Sequence, residues 1–388
     1  MQVHFKKKII DPFLNFILNS RAVGIILLTA TATSLLLANS SFAATYFNAI
    51  NVHIPVTTII PIHLPHTLLH WINDGLMAVF FFLAGIEIRR EITKGELSSF
   101  SQAILPLVAA IGGMAVPALI FFFINKGTGY TNGWGIPMAT DIAFSLGMAA
   151  LLGNRIPLGL KIFLTALAII DDLGAILAIA IFYSATIHWI YLGIAAIIIL
   201  ALYLLMHFKI FGIFNFLLGM LLWYCFYNSG IHATLAGVIF AFFIPIDQLP
   251  TLEHKLHKPV NFLIIPIFAL ANTAIVLPAD ILATINTTLS WGIIAGLLIG
   301  KPLGIFTASF ITVQLKWGIL PANTSWRQII GAGLLAGIGF TMSIFIATLA
   351  FDNSTAIDIA KISALVGSFL SIISGIVWLR FFCKPLTA

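Results

Sequence analysis

The chain has 388 residues, of which 60 % are hydrophobic and 8 % are charged, with a formal net charge of +6. A soluble domain carries about 25 % charged residues. With so few charges, a soluble fold of this length could not keep its apolar residues away from water. The composition excludes a soluble enzyme, a secreted domain and a disordered chain, and it predicts an all-α polytopic membrane protein.

The apolar runs are long enough to predict twelve transmembrane helices, because one span needs about 20 apolar residues. Most connections are short and contain Gly, Pro, Asn or Lys, which are typical helix-ending residues. Residues 1–388 are therefore predicted to form a single transmembrane domain, with no stretch long enough for a soluble one. The predicted spans are 22–39, 67–88, 102–124, 134–150, 157–182, 187–207, 211–226, 230–246, 259–278, 290–313, 328–350 and 359–381.

The basic residues separate onto alternate connections between these spans. Sixteen of the 19 lysines and arginines fall on one side, Lys126 and Lys361 fall on the other, and Lys301 lies inside a span. Since the basic side of a membrane protein is cytoplasmic, we expect both termini in the cytoplasm.

Residues 45–64 are not predicted to form a transmembrane helix. Apolar residues alternate with His, Pro and Thr over 52–57 and again over 60–65. The alternation predicts an external hairpin of two short strands. An irregular Pro-rich loop is the alternative, and the pattern alone does not separate the two.

Four acids lie in apolar sequence, where an ionised group costs roughly 2.5–3.5 kcal/mol at a helix centre, so each is a candidate functional residue. Asp171 and Asp172 are adjacent, and neighbouring helical residues point about 100° apart, so both carboxylates can border one cavity. A buried pair cannot ionise freely. It binds either protons or a small hard cation, and that competition is the chemistry of an ion exchanger. The four acids are Asp74, Asp141, Asp171 and Asp172.

The roles of two of these acids and of one lysine are predicted from the neighbouring sequence. Asp141 follows Gly135 and Pro137, which predicts a broken span that supports ion binding; capping of a half-helix is a compatible alternative. Lys301 lies mid-span and is predicted to pair with one of the two adjacent aspartates. Asp74 lies near the external end of span 2, and an outer access path and a simple helix cap remain equally open.

Histidines that titrate near neutral pH suggest a regulatory role. His232 opens span 8, and a cluster before span 9 could sense pH or be an ordinary charged loop. The cluster contains Glu253, His254, Lys255 and His257.

Five motifs, in chain order, resemble those of NhaA-type sodium/proton antiporters, and the resemblance covers nearly the whole chain. It implies twelve helices in which spans 3–5 and 10–12 are inverted repeats, with broken spans 4 and 11 crossing near the bilayer middle. The motifs are Trp71–Phe81, Ala139–Phe144, Asp171-Asp172, Gly300–Gly304 and Gly337–Ser343.

The resemblance also implies roles for individual residues. Asp172 would be the principal sodium or lithium ligand, Asp171 the partner of Lys301, and Thr140 and Asp141 would support the site and balance the helix dipoles. Segment 45–64 would form a homodimer contact. The implied pH-response residues are Glu87, His232, Glu253, His254, Lys255 and His257.

The function that the resemblance implies is electrogenic, pH-regulated export of sodium or lithium in exchange for protons, by alternating access in a bacterial inner membrane. It involves no enzyme activity, no nucleic acid and no cofactor beyond the transported Na⁺, Li⁺ and H⁺. A sodium-coupled organic anion symporter of related architecture is the alternative, but it would not need Lys301 beside a carboxylate. An intramembrane aspartyl hydrolase would carry its two acids on different helices, unlike Asp171 and Asp172.

Overall fold

The computed structural model describes residues 11–54, 63–183 and 186–383. These residues are mostly helical, and the described part contains no strand beyond an isolated antiparallel bridge between His53 and Thr67. The α-helices are α1 (Asp11–Ala38), α2 (Ala43–Ile50), α3 (Leu68–Lys94), α4 (Phe100–Asn125), α5 (Ile142–Leu151), α6 (Leu158–Phe182), α7 (Trp189–His207), α8 (Ile213–Ser229), α9 (Leu235–Ala241), α10 (Leu249–Pro259), α11 (Ile265–Asn272), α12 (Ile281–Ile285), α13 (Thr288–Gln314), α14 (Trp326–Ala336), α15 (Phe340–Ala350) and α16 (Ser354–Phe382).

Several helices contain irregular turns, which in proteins are often found at functional sites. A 3₁₀ helix, Thr131–Met138, precedes α5. π-helical turns occupy Trp71–Leu76 in α3 and Gly296–Gly300 in α13, and a third, Val260–Ile264, joins α10 to α11.

Within the described residues, seven helical segments are long and apolar enough to cross a membrane. They are α3, α4, Thr131–Leu151, α6, α7, α13 and α16. Two bent pairs raise the number to nine: α14 and α15 meet at 48°, and Ala22–Ala38 meets α2 at 119°. The prediction of an all-α membrane protein is confirmed, and the full number of twelve spans stays a prediction.

The segment predicted as a hairpin begins differently from expectation. Residues 45–50 belong to α2 rather than to an extended segment. The physical reason is local: Ala43 and Ala44 are strong helix formers, and alternation of apolar and polar residues begins only at Val52.

A short antiparallel pairing follows α2. The Ile54 amide donates to the His66 carbonyl at 3.0 Å, and the Leu68 amide donates to the Val52 carbonyl at 3.1 Å. Residues 55–62 lie outside the described part of the chain, so the hairpin itself stays a prediction.

The segment predicted as span 8, residues 230–246, is α-helical only over Leu235–Ala241. Gly230 ends α8 with a φ of 85°, a left-handed conformation that favours glycine. The chain then turns through 231–234 before α9 begins.

The helices group into two units. The first combines Ser99–Asp172 and Pro278–Ala388 with the beginning of the chain up to Thr29. In this unit α4 and α13 are in close backbone contact, since a Cβ added at Gly112 would lie 2.4 Å from the carbonyl oxygen of Gly304. Small residues allow such close helix packing in membranes, and here they set the position of Lys301, three residues before Gly304.

The second unit comprises Ala30–Ser98 and Leu173–Leu277. Here α3 packs tightly on α9, because a Cβ at Gly237 would lie 2.2 Å from the Ala78 carbonyl oxygen. The Arg89 guanidinium donates to the Ala241 carbonyl at 3.1 Å, which places a cation at the negative end of α9.

Candidate functional site

A buried ion pair forms the centre of the first unit. Asp171 on α6 and Lys301 on α13 are both fully buried, and Asp171 Oδ2 lies 2.7 Å from Lys301 Nζ. Thr140 Oγ1 also donates to Asp171 Oδ2 at 2.7 Å. Two helices and a helix break that are far apart in sequence therefore supply one charge-assisted network.

Lys301 and Thr140 each have a second partner at the carbonyl end of a helix. The Lys301 ammonium donates to the carbonyl of Met138, the last residue of the 3₁₀ helix. Thr140 Oγ1 lies 2.9 Å from the carbonyl oxygen of Ala336, the last residue of α14. Because helix C-termini carry partial negative charge, the ammonium lies where it offsets that charge.

Asp141 lies at the opposite kind of helix end. Asp141 is the N-cap residue of α5, and its Oδ1 accepts a hydrogen bond from the Phe144 amide at 3.0 Å. Its Oδ2 accepts from the hydroxyl of Thr341 at 2.5 Å and from the Thr341 amide at 3.3 Å, in the first turn of α15. One carboxylate thus accepts hydrogen bonds at the positive N-terminal ends of both α5 and α15. The geometry shows Asp141 as a helix cap, as one of the two interpretations predicted, and this role is compatible with the predicted support of an ion site.

The two helix breaks are hydrogen-bonded to each other. The Asp141 amide donates to the Ile338 carbonyl at 2.7 Å, and the Ser343 hydroxyl donates to the Ile136 carbonyl at 2.8 Å. The Ser145 hydroxyl donates to the Leu335 carbonyl at 2.7 Å. Backbone freed by a break at membrane depth must be satisfied by protein, and these bonds do so.

Asp172 is 2 % exposed beside this network and interacts electrostatically with Lys301. Asp171 Oδ1 is buried and accepts no hydrogen bond from the described residues. In that same part of the chain, no group of three or more His, Cys, Asp or Glu side chains could hold a metal ion. A cation here would be held by carboxylate, hydroxyl and carbonyl oxygens, the ligands that hard cations prefer.

Asp74, in the second unit, belongs to a separate pair. Its Oδ1 lies 3.6 Å from Nε2 of His232, whose Nδ1 lies 2.9 Å from Thr234 Oγ1. The helix-cap alternative for Asp74 is wrong: α3 is capped by Thr67, whose hydroxyl accepts from the His70 amide at 3.2 Å.

The predicted pH-response residues do not form one cluster. Asp74, the partner of His232, and Glu87 lie 13 residues apart on α3, which is about 20 Å along a helix. His254 and Lys255 are exposed on α10.

Arg90 is the centre of the remaining cluster. It donates to Glu253 and, at 2.6 Å, to Glu91, and both carboxylates interact with Glu87. Burial raises the pKa of Glu253, and the adjacent Arg90 partly offsets this. In the sequence, Arg90 is one of sixteen basic residues on the predicted cytoplasmic side, and Glu91 has no feature that singles it out. Only their positions three and four residues after Glu87 on one helix could have indicated this cluster.

His257 lies one helical turn beyond Glu253 on α10. Its Nε2 is 3.1 Å from the side-chain nitrogen Nδ2 of Asn261. Burial, reinforced by the positive charge of Arg90, lowers the pKa of His257 to about 4. The imidazole is therefore neutral over the range in which a free histidine titrates.

Comparisons with known proteins give the family. The family model described as Na⁺/H⁺ antiporter 1 matches residues 14–379. The chain is 47 % identical over 384 residues to the Na(+)/H(+) antiporter NhaA of Cytophaga hutchinsonii, covering 97 % of each. It is 47 % identical to NhaA 2 of Flavobacterium johnsoniae (96 % of this chain, 93 % of the relative) and 46 % identical to NhaA 1 of Clostridium beijerinckii (96 % and 95 %). With its apolar helices, the chain is a multi-pass membrane protein that belongs to the Na⁺/H⁺ antiporter 1 family.

Proposed function

We propose that this protein is a secondary active antiporter that exports sodium or lithium in exchange for protons. The observation that carries the proposal is the buried set of Asp171, Asp172 and Lys301 at two broken helices. Family membership supports the same activity and does not favour the organic anion symporter. A transporter of this kind performs no covalent chemistry, and the proposal needs no cofactor.

The exchange rests on competition between a cation and protons at the two carboxylates. We assign Asp172 as the principal sodium ligand and Asp171 as its neighbour, held by Lys301 and Thr140. The deprotonated pair binds sodium from the cytoplasm, releases it outside, takes up protons there and returns. Because cytoplasmic protons compete with sodium, exchange falls in acid.

The proposed exchange is electrogenic, with more protons entering than sodium ions leaving. One net charge moving through 100 mV is worth about 2.3 kcal/mol. Since 1.4 kcal/mol is a factor of ten, that charge supports about a fifty-fold sodium gradient.

Regulation by pH is assigned to the cytoplasmic cluster around Arg90, in which Glu87, Glu91 and Glu253 share one cation. The proposed location is the bacterial inner membrane with both termini in the cytoplasm, on the distribution of basic residues. A homodimer through segment 45–64 is proposed on the family resemblance alone. Asp74 with His232 is assigned to an access path, since both are partly exposed.

Everted membrane vesicles from a host without sodium/proton antiporters test the activity. A respiration-built pH gradient is followed with a fluorescent amine while NaCl, LiCl or KCl is added between pH 6 and 9. We expect sodium and lithium, but not potassium, to collapse the gradient, because only a small hard cation replaces protons at the carboxylates. Asp172→Asn should abolish the collapse, and Asp280→Asn, which alters an exposed helix-capping aspartate, should leave it unchanged. No collapse at any pH, with the protein present in the membrane, would refute the proposal.

A further inference from the structure

Ser368 on α16 is a buried polar residue that lies outside the network described above. It is 2 % exposed, and its Oγ accepts from the Phe340 amide at 2.9 Å. Phe340 is the first residue of α15, and an amide at that position has no partner within its own helix. Ser368 therefore caps α15 from a neighbouring helix.

A related contact occurs at the other helix break of this unit. There Asp171 on α6 accepts from Thr140, 31 residues earlier, at the break before α5. Here Ser368 on α16 accepts from Phe340, 28 residues earlier, at the break before α15. In each case a long helix brings one polar side chain to the break of the span that precedes it.

A second serine of α16 lies at the same break. Ser371 is fully buried one turn after Ser368, and its Oγ has no hydrogen-bond partner among the residues that the structure describes. A Cβ added at Gly337 would lie 2.9 Å from this oxygen. The α16 face that meets the break therefore carries two buried hydroxyl groups.

We propose that Ser368 is a positioning residue of the ion site. By holding the Phe340 amide, it fixes the first turn of α15, where the hydroxyl and amide of Thr341 donate to Asp141. Asp141 in turn adjoins Thr140, which donates to Asp171. Loss of the Ser368 hydroxyl loosens this chain of contacts and weakens sodium binding without removing a ligand. The inference rests on the proposed sodium/proton exchange.

Sodium kinetics of Ser368→Ala test the inference in the vesicle assay. A capping side chain is worth about 1 kcal/mol, so we expect the sodium concentration for half-maximal exchange to rise about fivefold, with the maximal rate nearly unchanged. Ser368→Thr keeps the hydroxyl and should recover the wild-type value. Ser374→Ala is the matched control on the same helix, because Ser374 donates at 2.7 Å to the Leu370 carbonyl of its own helix.

Two results would overturn the inference. One is a half-maximal sodium concentration for Ser368→Ala equal to that of Ser374→Ala; the other is a lower maximal rate with sodium affinity unchanged. Ser368→Cys, nearly isosteric and a weak acceptor, replaces Ser368→Ala if that variant does not fold, with the same expectation.

A stability measurement separates this inference from the proposed function. If the wild-type protein exchanges no sodium, the proposed function fails, and a double-mutant cycle between Ser368→Ala and Thr341→Ala in thermal unfolding still tests whether Ser368 is coupled to the first turn of α15. Non-additive losses support the positioning role, and additive losses refute it.

Discussion

The pair formed by Lys301 and Asp171 gives the sharpest test of how this membrane protein holds its charges. Lys301→Met removes the ammonium and keeps the length and apolar character of the side chain. It leaves the Asp171 carboxylate fully buried, with Thr140 as its remaining hydrogen-bond donor among those described.

The expected loss follows from the cost of an uncompensated buried charge. Removing one partner of a buried pair destabilises a protein by about 3–5 kcal/mol. The retained bond from Thr140 is worth about 1 kcal/mol, so we expect a loss of about 3 kcal/mol. Replacing both partners removes the stranded charge, so Asp171→Asn with Lys301→Met should recover at least half of that loss.

Unfolding of the purified protein in mixed micelles, followed by tryptophan fluorescence, measures these free energies. Lys126→Met is the matched control, because Lys126 is exposed and its replacement should change little. The reasoning fails if Lys301→Met is as stable as Lys126→Met. It also fails if the double variant is less stable than either single variant, since the two charges would then act independently.

Two further predictions concern a helix break and a histidine. Gly337→Ala should destabilise the protein by about 1–3 kcal/mol by overpacking, because the added Cβ would lie 2.4 Å from the Leu297 carbonyl oxygen. Thermal unfolding measures this loss. Gly193→Ala is the control and should show no loss, because nothing lies within 4 Å of the added Cβ. His257 has a pKa of about 4 against an ordinary 6.5, so the unfolded chain gains a proton first as pH falls from about 6.5 towards 4. The contribution of neutral His257 to the free energy of unfolding is complete above pH 6.5. At pH 5 it is smaller by at most about 2 kcal/mol. His257→Asn should remove that part of the acid sensitivity in unfolding measured at pH 5 and 7.5, whereas replacing exposed His254 should not; an unchanged pH dependence in His257→Asn would contradict the assignment.

The sequence predicted the helical membrane fold and the candidate charges because both depend on local composition. Long apolar runs define helices wherever they occur, and a lysine or aspartate within such a run is conspicuous. The break before Asp141 was predicted from Gly135 and Pro137, and the 3₁₀ helix ends there.

The sequence alone could not predict which distant segments come into contact. Thr341 and Ser368 are ordinary polar residues in apolar helices, and only the packing of α15 and α16 gives them partners. The role of Arg90 depends on α10 bringing Glu253 to it. His232 was grouped with Glu253 by family resemblance, yet it lies beside Asp74. The hydrophobic periodicity of one segment cannot predict its contacts with another segment.

The arrangement of charge at the two breaks explains why a carboxylate pair can be buried here at all. Lys301 meets the carbonyl end of the 3₁₀ helix, and Asp141 meets the amide ends of α5 and α15. Each charge is therefore offset by backbone dipoles as well as by a side chain. An unbroken helix would expose neither end at this depth, and its backbone groups would already be paired. The polar groups at the breaks surround the buried Asp171 carboxylate, so the irregular backbone and this aspartate belong to one hydrogen-bonded arrangement.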